Sequence, residues 1–370
     1  MNLAIFDPSI TALPIEMKFL VIQQKMIGDV LASTVICESI KHYFPNSSVH
    51  FVANENTLPV LLNNPSIDRV VVFGKDLRQS KWKFYRFLKA IQKEEFHTVI
   101  DAYGKLESNL ISLFARSKYK ISHFKGYTRW IYTHTVKENL NPDGKIPLAI
   151  QNRLALLGPI LNRPNDFVTF PKIFLKESEI HEAKNKIDTI RDYKNQKLVM
   201  IGILGSSPLK TYPSAYMAKI LDFICEKTNT KLLFNYIPNQ KSDAEAIYNQ
   251  CNETTKSKSV LDFYAPSLRE FLAILSQCSA LIGNEGGAVN MAKALDIPTF
   301  CIFSPFIIKG AWHSNIQEKH FGVHLIDYLP ELFENKGKKD IKRNIDTLYE
   351  TFKTSLFIEQ LGNFLSKYGQ

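Results

Sequence analysis

The chain has no apolar run near the ~20 residues that a membrane-spanning helix needs. It is also poor in cysteine: Cys37, Cys225, Cys251, Cys278 and Cys301 stand singly, with no C-x-x-C pair. That spacing argues against a disulfide framework and suits reduced core thiols in a cytosolic protein. No G-x-G-x-x-G follows the first apolar run, so a nicotinamide oxidoreductase would lack its fingerprint. The P-loop pattern G-x-x-x-x-G-K-[ST] is missing too. Neither D-x-D nor H-E-x-x-H occurs. A metal-bridged diphosphate therefore has no sequence support, and the pair His320 and His324 lacks the acid a zinc motif carries. Residues 1–16, "MNLAIFDPSITALPIE", contain acids and two prolines but no basic start, and make a poor signal peptide. Met17 directly precedes the first strand-like run, so residues 1–17 read as an extension outside the fold.

What is present is an ordinary globular composition, 45% apolar and 22% charged over 370 residues. That length predicts two domains of ~150–190 residues. Short β-branched runs alternate with helical patterns. Strands are expected at 18–24, 48–54, 69–73, 98–101 and 120–124, then at 198–204, 231–236, 258–263, 280–284 and 299–303. Apolar strands without alternation, separated by helices, mean parallel sheets covered on both faces. The fold class is α/β: two Rossmann-like doubly wound domains facing a cleft, with ligands beyond the strands' carboxyl ends. A polar helical stretch, 176–196, separates the two series. We expect a first domain over 18–172 and a second over 173–347. A helix within 348–370 is expected to pack back toward the first.

The net charge of +10 is concentrated. Lys75–Lys93 carries seven cations against one acid, and Leu77, Trp82, Phe84, Phe87, Leu88 and Ile91 predict one amphipathic helix. Such a face can meet anionic lipid or an acidic substrate, or can simply be solvated. Nucleic acid is not expected, because no groove-reading motif accompanies the charge.

Three strand-to-helix junctions carry candidate chemistry. In "QQKMIGDVLAS", Gly28 and Asp29 open a helix, whose dipole favours an anion; Asp29 could equally be a first-turn acid. In "GILGSSPLKTYPSAYMAKIL", Gly205, Ser206 and Ser207 let backbone N–H groups approach an oxyanion, and Lys210 can add a point charge. A helix-capping turn with a surface lysine reads the same way. In "LIGNEGGAVNMAKALDIP", Asn284, Glu285, Gly286 and Gly287 lead into a helix. Paired glycines there form an anion site or a tight turn, and Glu285 could accept hydrogen bonds from sugar hydroxyls.

Together these loops resemble glycosyltransferase family 9, the lipopolysaccharide heptosyltransferase family of GT-B fold, from about Lys18 to the last helix. Gly28-Asp29-Val30-Leu31 matches the family's G-D-[VIL]-[LI] signature. Asp101, Gly104 and Ser108 match its D-x-x-G…S segment, and Gly205, Ser206, Lys210, Tyr212 and Pro213 match its G-S…K-x-[WY]-P loop. "NEGGAVNMAKALDIP" stands at its last motif, with Glu285 for aspartate, Gly286 for serine or threonine and Asn290 for histidine.

The resemblance implies an inverting, metal-independent transfer of a sugar, by family default heptose, from a nucleotide diphosphate donor. The donor is ADP-linked by the same default, and no cofactor is implied. Asp29 would be the general base. Lys210 would assist the leaving diphosphate, and Gly28, Gly205, Ser206, Ser207, Asn284, Glu285, Gly286, Gly287 and Asn290 would bind donor. The acceptor would be an acidic lipid-linked saccharide of the lipopolysaccharide core or a related surface glycan. Lys75, Arg78, Lys81, Lys83 and Lys105 would meet it, with Arg86 and Lys89 on the same run. The expected place is the cytoplasm or the inner face of the bacterial inner membrane. The competing readings are a non-catalytic nucleotide-sugar-binding or scaffold member of the same fold, and, further off, an NAD-dependent oxidoreductase.

Overall fold

The computed structural model describes residues 17–142, 144–161, 167, 169–314 and 318–369. The extension expected over residues 1–17 lies, Met17 aside, outside the described residues.

Six parallel strands form the first sheet: β1 (Lys18–Ile22), β2 (Ser48–Asn54), β3 (Arg69–Phe73), β4 (Phe96–Asp101), β5 (Ser117–His123) and β6 (His134–Val136). Their order is β3-β2-β1-β4-β5-β6. The helices that matter here are α1 (Ile27–Tyr43), α2 (Lys81–Lys93), α3 (Leu106–Phe114) and α4 (Leu148–Ala155).

The second sheet repeats the plan with β7 (Leu198–Gly202), β8 (Lys231–Asn235), β9 (Ser259–Val260), β10 (Ala280–Asn284), β11 (Thr299–Ile302) and β12 (His320–Val323), in the order β12-β11-β10-β7-β8-β9. Its helices include α5 (Glu177–Asp188), α6 (Ser214–Lys227), α7 (Leu268–Leu275), α8 (Gly287–Ala294) and α9 (Ile358–Tyr368). Counted from its own first strand, each sheet has the doubly wound order 3-2-1-4-5-6. The strand order therefore reverses between β1 and β4 and again between β7 and β10, where crevices open at the carboxyl ends.

The central strands are apolar because both faces are covered: β7 and β10 are buried along their whole length. Helix α1 is buried without a break from Val30 to Cys37. A helix apolar on all sides must be enclosed, and α1 is: it packs against α4 and against α8 of the other half. Val30 and Leu31 of α1 share one buried cluster with Val289 and Met291 of α8, so the two halves are joined by a common core under the cleft.

Four expectations differ from the structure. The run Lys75–Lys93 is two helices, Lys75–Gln79 and α2. Ser80 between them is extended, and its hydroxyl caps α2 by accepting the Lys83 N–H at 3.3 Å. The C-terminal helix breaks at Phe352, whose buried ring sits among aromatic neighbours and whose carbonyl accepts from the Tyr212 hydroxyl. After the break α9 does not return toward the first sheet. It packs on α6, with Phe364 against Phe300 and Phe321, each at 5.6 Å between ring centres. The strand expected over 258–263 shortens to Ser259–Val260.

Candidate active site

Between β1 and α1 the chain turns through Met26, a non-glycine residue at φ 65°, a conformation that costs ~1–3 kcal/mol and clusters at functional sites. The turn brings Asp29 into the first helical turn, at the helix's positive end. Its carboxylate has a specific partner. Arg153 Nη2 of α4 donates to Asp29 Oδ1 at 2.6 Å. The other guanidinium nitrogens reach Ser33 Oγ at 3.4 Å and the Ala149 carbonyl at 3.3 Å. Arg153 is thus held by α1 and by its own helix, and it fixes the carboxylate from one side. Sequence reading missed Arg153, which lies 124 positions from Asp29 in no recognisable motif.

Opposite Asp29, the loop after β7 is pinned at several points. A Cβ on Gly205 would lie 2.2 Å from the Lys210 carbonyl oxygen, so only glycine permits this fold-back. The Thr211 hydroxyl accepts the Gly205 N–H at 3.0 Å and donates to the Ser207 carbonyl at 3.0 Å. Asn284, at the end of β10, donates to the Gly202 and Ile203 carbonyls at 2.9 Å each and accepts the Tyr212 N–H at 2.7 Å. These bonds engage the Asn284 amide and the Gly205 N–H inside the protein, so both residues build the loop.

The loop holds Lys210 with its Nζ 2.8 Å from Glu285 Oε1. Glu285 is nearly buried, and Gly286 follows it at φ 153°, a conformation side chains rarely adopt, before α8 begins. The first amides of α8 therefore open beside the Lys210–Glu285 pair, in an arrangement suited to an anion.

A cleft of about 870 Å³ separates the two halves. Gly28, Asp29, Lys75 and Arg78 line it from the first half; Ser206, Lys210, Glu285, Gly286, Gly287 and Asn290 line it from the second. Residues 25–27 and 54–57, Phe73 and Trp312 complete the wall. A second chamber of about 540 Å³ lies over the carboxyl ends of the second sheet, with Tyr236, Ile237, Phe263 and Phe271 in its wall. The cavities share Ile27, Ser206, Glu285, Gly286 and Gly287. An apolar-walled chamber thus opens through a glycine throat into a polar cleft. Such a shape suits a molecule with a flat ring at one end, a negative link in the middle and a polyhydroxylated group at the other.

Other expected residues lie elsewhere. Ser207 is absent from both linings, its carbonyl engaged by Lys210 and Thr211. Lys81, Lys83 and Lys105 are exposed and do not line the cleft; Lys83 pairs with Asp76 at 3.3 Å. Asp101 is fully buried. Its Oδ1 accepts the Tyr103 and Gly104 N–H groups at 3.0 and 2.8 Å, and its Oδ2 accepts the Tyr132 hydroxyl at 2.6 Å. Burial pushes its carboxyl above the usual range while these bonds oppose the rise. The D-x-x-G motif is therefore a loop brace beside the site.

Two doubly wound domains meeting at one cleft, with a carboxylate on one wall and an ammonium and helix N-terminus on the other, are the GT-B architecture of nucleotide-sugar enzymes. The chain belongs to glycosyltransferase family 9, the heptosyltransferases, whose family model matches residues 84–309. It is 23% identical over 314 residues to lipopolysaccharide heptosyltransferase 1 of Campylobacter coli, covering 82% of this chain and 88% of that protein. It is 22% identical to lipooligosaccharide heptosyltransferase 2 of Haemophilus ducreyi, covering 76% and 81%. In fold it is similar to a family 9 glycosyl transferase from Veillonella parvula, with a TM-score of 0.71, 17% identity and coverage of 90% and 96%. It also matches the E. coli heptosyltransferase WaaC with ADP, with a TM-score of 0.63, 14% identity and coverage of 90% and 100%.

Proposed function

We propose that this glycosyltransferase moves a heptose from an ADP-linked donor to an acidic, lipid-linked saccharide of the lipopolysaccharide core or a related surface glycan. One observation carries the reading: Asp29 and the Lys210–Glu285 pair line a single cleft from opposite sheets. The relatives' names support the sugar, and the E. coli structure with ADP-2-deoxy-2-fluoro heptose supports the donor.

Residues 18–172 carry the acceptor in this proposal, and residues 173–347 carry the donor. The adenine and ribose take the chamber beside Tyr236 and Phe263, and the diphosphate takes the glycine throat. Lys210 exchanges Glu285 for the diphosphate, and Glu285 then accepts from sugar hydroxyls. An acceptor hydroxyl attacks the anomeric carbon from the Asp29 side. The new C–O bond forms as the bond to the diphosphate breaks, so configuration inverts. Asp29 takes the hydroxyl proton, which becomes acidic only as that bond forms. Lys210 and the α8 amides receive the charge growing on the leaving group, usually the largest catalytic contribution. The mechanism as drawn asks no metal to take part. Lys75 and Arg78 meet the acceptor's acidic groups.

Among the described residues, no helix is long and apolar enough to cross a membrane. We place the enzyme at the cytoplasmic face of the inner membrane, where a lipid-linked acceptor is reached from outside the bilayer.

A panel of nucleotide sugars tests the donor, because a bound donor raises the melting temperature by mass action. ADP-heptose is expected to raise it more than other nucleotide sugars or NAD do. Asp29→Asn is expected to keep that shift while losing ~10²–10⁴ in turnover. Unchanged turnover in Asp29→Asn would remove Asp29 as the base, whereas a donor-induced shift with no turnover in the unaltered chain would leave the scaffold reading in its place.

A further inference from the structure

The break at Ser80 divides the basic run by direction. Lys75 and Arg78 face the cleft, whereas α2 turns another surface outward. Leu88 and Ile91 of α2 are buried. Trp82, one helical turn from Tyr85 and Arg86, is 66% exposed, and its ring stacks on Tyr85 at 5.8 Å. Tyr85 meets Phe114 of α3 at 6.4 Å. At its other end α3 begins with Leu106, 73% exposed, beside the Gly104 loop. Lys125 Nζ donates to the Gly104 carbonyl at 2.7 Å and anchors the next turn there. That turn presents Tyr127 and Trp130, 74% and 70% exposed, and it packs on α3. Large apolar side chains from three adjacent elements thus stand out from one flank of the first half.

The charge around them is one-sided. Residues 81–93, 105–114 and 124–131 hold eight cations and one acid, Glu107. Exposed tryptophan and tyrosine with lysine and arginine match a bilayer's interfacial zone, where the rings sit at headgroup level and the cations meet anionic lipid. We propose that this flank docks on an anionic lipid bilayer, with Trp82, Leu106, Tyr127 and Trp130 entering the interface. The inference rests on the reading that the acceptor is lipid-linked. It gives Lys81 and Lys105 a partner outside the cleft they do not line. The flank adjoins the acceptor end: the helix Lys75–Gln79, whose Lys75 and Arg78 line the cleft, packs on α2.

The full chain is to be sedimented with vesicles containing phosphatidylglycerol and with vesicles of phosphatidylcholine alone. Binding is expected only to the anionic vesicles. It should weaken with salt, since screening acts over ~8 Å at physiological ionic strength, and it should be accompanied by a blue shift of tryptophan emission. Replacing Trp82, Tyr127 and Trp130 together by serine should lower the partition coefficient at least tenfold. Lys81→Gln with Lys89→Gln should lower it about fivefold per cation. Equal binding to both vesicles, unchanged binding of the serine variant, or preference for single-stranded RNA over vesicles overturns the proposal. The donor-induced melting shift, measured on the same variants, reports that they fold. In the unaltered chain it also separates the two readings: a shift without vesicle binding removes only the docking face, and vesicle binding without a shift removes only the transfer function.

Discussion

Arg153 holds Asp29: one guanidinium nitrogen lies 2.6 Å from the carboxylate, and the pair is mostly sheltered from solvent. A base that must collect a proton while a bond forms gains from a fixed direction. Misplacement by about 1 Å is enough to cost ~10²-fold. Arg153→Ala is therefore expected to lower kcat by about 10²-fold, with KM for the donor little changed. Arg153→Lys keeps the charge without the planar fork and should recover only part of the rate. Steady-state kinetics decide it, and an equal rise in KM for the donor would speak for a binding role instead.

In the proposed mechanism Glu285 competes with the diphosphate for Lys210. Their contact is 2.8 Å, with Glu285 nearly buried, so a donor must disrupt or share it. Glu285→Gln removes the competing charge and should tighten ADP binding about fivefold, the worth of a pair near 1 kcal/mol. The same variant should discriminate less among ADP-linked sugars, because one sugar-facing acceptor is weakened. Lys210→Ala should lower turnover by ~10²–10³, the usual effect of removing one preorganised charge partner. Calorimetric titration with ADP measures the first effect. Weaker ADP binding in Glu285→Gln would mean that the carboxylate supports the site.

Much of this architecture is legible from pattern alone. Unalternating runs such as "KFLVI" and "LVMIG" announce parallel central strands, and their glycine-rich exits mark the cleft. β6 and β12 are not legible in the pattern because they are edge strands of three and four residues with polar members. Breaks at Ser80 and Phe352 were hidden because periodicity survives a change of direction. Asp29 could be found because strand, glycine and acid are adjacent in sequence. Arg153 could not, because only the packing of α4 on α1 brings it near.

Three buried histidines make stability fall in mild acid. Burial pushes His123 down to about 4 and His313 and His320 down to about 3, with neighbouring lysines or Arg153 adding to the effect. The unfolded chain protonates them near the ordinary 6.5, so unfolding takes up protons below that pH. Their contribution is fully present above about pH 6.5 and declines as pH falls toward the folded values. Each histidine contributes a slope approaching ~1.4 kcal/mol per pH unit. Asp101, held high by burial, opposes with a single proton. The urea midpoint should therefore drop steadily between about pH 7 and pH 5, and His320→Gln should flatten the curve. A midpoint constant over that range would contradict the prediction.

The loop that presents Lys210 can be tested apart from its charge. At Gly205 an added Cβ would meet the Lys210 carbonyl oxygen and carbon at 2.2 and 2.5 Å, and backbone atoms cannot rotate aside. Gly205→Ala must therefore lift the loop off its Thr211 and Asn284 bonds and carry Lys210 with it. A cost of ~1–3 kcal/mol in stability is expected from such overpacking, together with at least a tenfold loss in ADP affinity. At Gly286 the space is open, with no atom of the described residues within 4 Å of an added Cβ, but φ 153° disfavours any side chain. Gly286→Ala should thus lose stability through backbone strain while Lys210 stays in place. The contrast is the test: if charge placement governs donor binding, the ADP-induced melting shift shrinks far more in Gly205→Ala than in Gly286→Ala. Equal shifts would show that the throat's backbone, and not the position of Lys210, sets the affinity.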